Sequence, residues 1–341
     1  MFVLINASLI IALAGLVCFA AIVLLRRYAS LLGLVQNAGE RSSHTGQKPT
    51  GGGLGIVLAA SLAGGWIVID GQTYLAVPVV AALALGLVGL LDDRGKLNIS
   101  QRLLAQGTFL VVIIIYLQSV FSFSQYIDWL GPAWLALPII VLAGVLWINL
   151  FNFMDGIDGL AASELVFVLS AMELLVLTQP EAALSGLPLW LISIAVAALV
   201  FLLFNWQPSL IFMGDAGAYF FAAVIIIGAL FFLVNGALSP AAAIILVAMF
   251  VSDSLVTLLF RMAGGFRFSE GHKTHAYQKL SRRWSHARVV VLYMSINLFW
   301  LLPLAFIVQK TMFDPVICVF IAYMPLVLFM VLSRAGRVEH V

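Results

Sequence analysis

What most constrains this chain is a recurrence. Apolar runs of about twenty residues follow one another along its whole length, separated by short polar breaks. Wound as a helix rising ~1.5 Å per residue, such a run spans the ~30 Å hydrocarbon core of a bilayer. Within lipid every backbone N–H and C=O must find a partner in its own segment, so these runs read as helices. About eleven are countable, near 3–25, 52–69, 74–91, 102–119, 132–150, 160–178, 187–204, 216–234, 240–260, 288–308 and 315–333. The expected fold is all-α: a polytopic integral membrane protein with about eleven transmembrane helices, forming a single domain over residues 1–341. Composition agrees, with 63% hydrophobic and 9% charged residues, against roughly 25% charged in a soluble domain. The sequence shows no soluble domain and no internal repeat of the kind that marks many transporters.

Basic residues predict the orientation, because loops rich in Lys and Arg stay cytoplasmic. Loops after the odd-numbered runs hold Arg26, Arg27, Arg41, Lys48, Arg94, Lys96 and Arg102, then Arg261, Arg267, Lys273, Lys279, Arg282, Arg283, Arg288, Arg334 and Arg337. The other side holds Lys310. The N-terminus is expected on the periplasmic side and the C-terminus in the cytoplasm, which an odd number of spans requires. The first run has no basic residue before it, so it reads as a retained helix rather than a cleaved signal. Cys18 and Cys318 lie in apolar runs as small buried hydrophobes, without an implied disulfide. A net charge of +2 argues against nucleic acid as a partner. Basic loops at this surface suit membrane lipids and phosphorylated solutes.

Carboxylates say more, because topology does not require them and a bilayer penalises them. Asp92 and Asp93 end the third run, Asp155 and Asp158 follow the fifth, Asp215 opens the eighth and Asp253 lies inside the ninth. Asp155 and Asp158 are three residues apart, and on a continuing helix they would share a face with Asn152. Clustered carboxylates repel one another unless a divalent cation or cationic side chains intervene. Hard oxygen ligands point to Mg2+, with Mn2+ as a substitute. Asp253 is expected to face the bundle interior. Glu164 continues a polar helix entry, and Glu173 has no evident role.

Two polar loops supply the counterpart. The longer, "RMAGGFRFSEGHKTHAYQKLSRRWSHAR", carries His272, Lys273, His275, Lys279, Arg282, Arg283, His286 and Arg288 after a Gly264-Gly265 entry. It suits an arm folded over an anionic substrate. Topology explains its Lys and Arg but not its histidines, so His272 and His275 are picked out as phosphate contacts. The shorter, "ERSSHTGQKPTGGGLG", holds Arg41, His44, Lys48 and the run Gly51–Gly53. Such glycines either offer backbone N–H groups to a phosphate or let helices pack closely.

Together these residues resemble a family, the polyprenyl-phosphate N-acetylaminosugar-1-phosphate transferases, or bacterial glycosyltransferase family 4. The carriers, in order, are "RSSHTGQKPTGGGLGI", "GLLDDRGKLNISQRLLAQ", "NFMDGIDGLA", "FNWQPSLIFMGDAGA" and "GHKTHAYQKL". The resemblance implies a Mg2+-dependent transfer of sugar-1-phosphate from a UDP-N-acetylhexosamine to undecaprenyl phosphate at the cytoplasmic face of a bacterial inner membrane, releasing UMP. It also leaves room for a homodimer. By resemblance Asp215 binds the metal, joined by Asp92. Asp92 and Asp93 engage the lipid phosphate, with Asp92 as the preferred base. Asp155, Asp158 and His275 are further catalytic candidates. Arg41, His44, Lys48, Asn152, His272, Lys273, Tyr277 and Gln278 are candidate substrate contacts. Where many relatives read H-x-H-H, this chain has "HAYQ", which resembles the branch that starts lipopolysaccharide O-antigen chains. That branch uses N-acetylated, in some cases 6-deoxy, hexosamine donors.

Two rivals start from the same carboxylates. A cation-coupled transporter would place its site near the midplane on broken helices. An intramembrane aspartyl protease needs a G-x-G-D motif, but Phe212 stands at its first glycine in "FMGD". The protease reading leaves the histidine-bearing loop unexplained, and the transporter reading is opposed by carboxylates that cluster at the cytoplasmic ends of the runs without an apparent inverted repeat.

Overall fold

The computed structural model describes residues 2–36, 48–123, 127, 131–177, 186–267 and 272–337. Each predicted run is helical. In chain order these are α1 (Phe2–Tyr28), α2 (Gly53–Ile69), α3 (Ala76–Asp93), α4 (Ile99–Phe121), α5 (Ala133–Phe153), α6 (Leu160–Val176), α7 (Gly186–Asn205) and α8 (Asp215–Val234). They continue as α9 (Pro240–Leu246), α10 (Ala248–Ala263), α11 (Ala276–Ser281), α12 (His286–Ile296), α13 (Leu302–Gln309) and α14 (Pro315–Leu332). Strands β1 (Val35–Gln36) and β2 (Lys48–Pro49) pair antiparallel ahead of α2. Among the described residues, eight helices are long and apolar enough to cross a membrane, with α12 and α13 counted together. The all-α polytopic expectation therefore stands.

Two predicted runs are not simple helices. The run 240–260 breaks at Val247, and α9 meets α10 at 68°. The run 288–308 is continuous but passes through a π-helical turn, Asn297–Leu301, between α12 and α13. Apolar periodicity does not register either feature, because both halves remain hydrophobic. Starts are better marked. At α4, Asn98 Oδ1 accepts the Gln101 N–H and Gln101 Oε1 accepts the Asn98 N–H, each at 2.9 Å, a reciprocal capping box.

The centre of the bundle is α8, which packs against α2, α3, α5 and α6 and is buried along most of its length. Its approach to α2 and α3 depends on glycines. A Cβ at Gly53 would collide with the Gly217 backbone, and one at Gly89 with the Asp215 carbonyl. Small residues permit this contact where larger ones would hold the helices apart. The result brings the end of α3 and the start of α8 to one place.

Candidate active site

The acidic centre is built where α3 ends, α8 begins and the turn after α5 crosses them. Asp93 accepts the backbone N–H groups of Asp215 (2.8 Å) and Ala216 (3.2 Å). Its carboxylate thus supplies acceptors to a helix start that has no internal ones. Gly214 is needed beside it: its φ is +78°, and a Cβ there would press on Asp93 Oδ2. Asp92 meets the next turn of α8 and the start of α4: its Oδ2 accepts from the Tyr219 hydroxyl (2.8 Å) and Arg102 Nη1 (2.9 Å). The Asn152 side chain hydrogen-bonds the Asp215 carboxylate. Burial, followed by the like charges of Asp215, Asp93 and Asp158, pushes the Asp155 carboxyl well above the usual carboxylate range. Asp92, Asp93, Asn152, Asp155 and Asp215 are therefore one cluster, whereas the expected helical face shared by Asn152, Asp155 and Asp158 does not form, because α5 ends at Phe153 and a turn carries the two aspartates.

Asp158 stands apart in a bonded pocket of its own. Its Oδ1 accepts the Ser209 hydroxyl (2.8 Å) and its Oδ2 the Ser209 N–H (3.2 Å). His286 Nδ1 accepts the Asp158 N–H (3.3 Å) and lies 3.4 Å from Oδ2. Burial alone would raise this carboxyl, but the His286 and Ser209 bonds outweigh it and hold it below the ordinary range. Lys48 Nζ reaches Ser209 Oγ at 3.5 Å and sits over the Phe212 ring. This joins the short basic loop to the same region. Arg41 and His44 lie outside the described residues.

The histidine arm is docked on the bundle. His275 is 3% exposed and stacks between His272 (ring centroids 4.9 Å apart) and Tyr277 (5.4 Å), with Phe153 nearby at 6.2 Å. Burial, then the charges of His275 and Arg261, pull His272 down to about 3. Gln278 Oε1 accepts the His275 N–H at 3.2 Å. Tyr277 departs from the expected substrate contact. It is fully buried, and its hydroxyl donates to the Phe153 carbonyl (2.8 Å) against Gly156, where a Cβ would collide with it. Tyr277 thereby ties the arm to the turn carrying Asp155. Lys273 is half-buried on the same arm.

The glycine run is also decided. The N–H groups of Gly52 and Gly53 donate to the Phe212 and Met213 carbonyls at 2.8 and 3.0 Å, so they serve packing rather than a phosphate. Four partners of the site were not singled out from sequence: Arg102, Tyr219, Ser209 and His286. Tyr219 was the most accessible, being four residues after Asp215 and so on its helical face. Ser209 and His286 meet Asp158 from far along the chain; no local pattern announces Ser209, whereas His286 is one of the arm's histidines that topology leaves unexplained.

Carboxylates gathered at the ends of buried helices, with a basic arm folded beside them, define a polytopic membrane protein with a polar, acidic centre at the ends of its helices. The comparisons agree. A sequence profile described as glycosyl transferase family 4 matches residues 75–233, from α3 through α8. The chain is 30% identical over 264 residues to the probable undecaprenyl-phosphate N-acetylglucosaminyl 1-phosphate transferase of Bacillus subtilis, covering 75% of this chain and 72% of that protein. It is 29% identical over 282 residues to the phospho-N-acetylmuramoyl-pentapeptide-transferase of Geobacillus thermodenitrificans (74% and 81% covered). It is 25% identical over 327 residues to the protein of that name from Caldicellulosiruptor bescii (89% and 97%). The chain belongs to glycosyl transferase family 4.

Proposed function

We propose that this protein transfers an N-acetylated hexosamine-1-phosphate from a UDP-sugar to undecaprenyl phosphate, releasing UMP. The observation that carries this reading is the convergence of Asp92, Asp93, Asn152, Asp155 and Asp215 from separate elements, with Arg102 ion-paired at its edge. A lipid acceptor accounts for a site set on membrane helices, and two phosphorylated substrates account for the arm. The topology proposed is eleven spans with α2, α6 and the bent α9–α10 pair included, the N-terminus periplasmic, and the site facing the cytoplasm of a bacterial inner membrane.

In the reaction, an oxygen of the lipid phosphate attacks the sugar-bearing phosphorus of the donor. A new P–O bond forms, the bond from that phosphorus to the bridging oxygen breaks, and UMP departs with its electrons. The sugar C1–O bond stays intact. Positioning and charge neutralisation supply most of such catalysis. A lipid phosphate is largely ionised near neutral pH, so direct attack needs little from a base. The Arg102 and Tyr219 bonds to Asp92 suit it better to anchoring than to taking a proton.

The chemistry of the donor groups, carboxylate and amide oxygens, suits Mg2+. Among the described residues no three of His, Cys, Asp or Glu stand together so as to hold an ion by themselves, so substrate phosphates and waters would have to complete its shell. Mg2+ commonly keeps several waters and binds through one or two carboxylates plus substrate phosphates. Asp215 and Asp92 would hold it, and it would neutralise charge building on the transferring phosphoryl group.

For the donor, "HAYQ" favours an N-acetylhexosamine, 6-deoxy sugars included, in O-antigen initiation. The test is incubation of purified protein with undecaprenyl phosphate, Mg2+ and a panel of UDP-N-acetylhexosamines, following UMP and lipid mass. Matching UMP and diphosphate-lipid signals are expected, lost with chelator. Uptake of a solute into proteoliposomes without lipid product would favour a transporter instead.

A further inference from the structure

Asp253 lies on α10, fully buried, and is none of the residues assigned to the reacting groups. Both its oxygens are nevertheless spent on the arm and its neighbours. Oδ1 accepts the Ala276 N–H (2.9 Å) and the Thr257 hydroxyl (3.3 Å). Oδ2 accepts the Tyr277 N–H (3.0 Å) and the Tyr293 hydroxyl (2.7 Å), while His275 Nδ1 stands 3.5 Å from Oδ1.

These contacts matter because α11 has only six residues. A helix that short does not hold itself together in isolation, and its first N–H groups have no partner of their own. A carboxylate at that end satisfies two of them and complements the helix dipole. The far side of α11 is fixed separately: Lys279 Nζ donates to the Arg334 (2.7 Å) and Arg337 (2.9 Å) carbonyls beyond α14. The segment ahead of it is held as well, since the Gly336 N–H donates to the Thr274 carbonyl (2.8 Å). The arm is thus a docked element. Through Tyr277 and its bond to Phe153, the docking reaches the turn that carries Asp155.

We infer that Asp253 is a positioning residue: by capping α11 from inside the bundle it sets where His275 and Tyr277 stand against the Asn152–Asp158 turn, and so tunes affinity for the phosphorylated donor without touching it. This rests on the transfer reaction proposed above.

The test compares Asp253→Asn and Tyr293→Phe with the intact protein, reading hydrogen exchange at the Ala276 and Tyr277 amides alongside the KM for each substrate. Asparagine leaves one acceptor oxygen and removes the charge. Exchange at both amides should quicken about tenfold or more while that of α8 holds, and donor KM should rise about tenfold with acceptor KM within about twofold. Tyr293→Phe should shift both readouts in the same direction by less, and the double variant should be no worse than Asp253→Asn alone. Unchanged exchange, or equal movement of both KM values, overturns the inference. If Asp253→Asn does not fold, Tyr293→Phe decides by the same readouts. A wild-type protein that turns over no UDP-sugar removes the transfer reading, and with it the donor-affinity claim; unchanged amide exchange would instead remove the inference about Asp253 and leave the transfer reading standing.

Discussion

Asp93 holds Asp215 in place: one carboxylate oxygen accepts the Asp215 N–H at 2.8 Å and the other the Ala216 N–H at 3.2 Å. Losing such a cap costs about 1 kcal/mol, within a range of ~0.5–2. Asp93→Ala should therefore lower the melting temperature in detergent by a few degrees. It should also cut turnover by about a hundredfold, because Asp215 is displaced. Loss of turnover with no change in melting temperature would instead place Asp93 among the reacting groups.

The same junction depends on Gly53 and Gly217, which meet backbone to backbone. Gly53→Ala forces α2 away from α8 and should destabilise the protein by ~1–3 kcal/mol, as overpacking does. Gly65, on the same helix, has nothing within 4 Å of an added Cβ. Alanine there should leave stability unchanged or raise it by up to ~1 kcal/mol. Thermal unfolding of the two variants side by side checks this, and equal effects would contradict the packing account.

The sequence carries the helices and the acidic centre for identifiable reasons. A bilayer makes each span a run of one composition, so run length suffices for the helices of the apolar runs except at the Val247 break and the Asn297 π-turn, whereas the six-residue α11 sits in a polar loop where no such run marks it. Aspartates are costly near lipid, so Asp92, Asp93, Asp155 and Asp215 stand out without a structure. Which oxygen serves which partner is another matter. Asp93 and Asp253 have the same chemistry as Asp215, yet both are spent on backbone N–H groups of distant helices, and only the fold reveals that. The turn of Gly52 and Gly53 toward Phe212 and Met213 is likewise a fact of packing. Tyr277, read as a substrate contact, faces inward because Gly156 leaves room for its ring.

Tyr219→Phe removes the hydroxyl that donates to Asp92 Oδ2 at 2.8 Å and leaves the Arg102 ion pair intact. Hydrogen bonds to charged groups are worth ~1.5–3 kcal/mol. Because phenylalanine fills the same volume, the fold should survive and the effect should fall on the site. Turnover is expected to drop about tenfold. Steady-state kinetics check it: a full loss of activity would give Tyr219 a direct part in the chemistry, and no change would remove Asp92 from the site.

His272 makes a prediction about acid stability. Its ordinary value is 6.5, and burial with the charges of His275 and Arg261 brings it to about 3 in the folded protein, Asp253 pulling weakly the other way. Between those values the unfolded chain binds a proton that the folded one does not. The contribution is therefore fully present above about pH 6.5 and is lost as pH falls, at up to about 1.4 kcal/mol per pH unit. Asp155, raised in the folded state, acts with the opposite sign, favouring the fold as pH falls. Comparison with a variant that keeps Asp155 cancels that opposing effect. His272→Phe preserves an aromatic ring against His275 and Phe153 while removing the titrating group. Denaturation of both proteins from pH 7 down to pH 4 should show the variant losing less stability than wild type, with the curves diverging below about pH 6.5. Parallel curves would mean that His272 takes up its proton in the folded arm, and hence that the arm opens to solvent in acid.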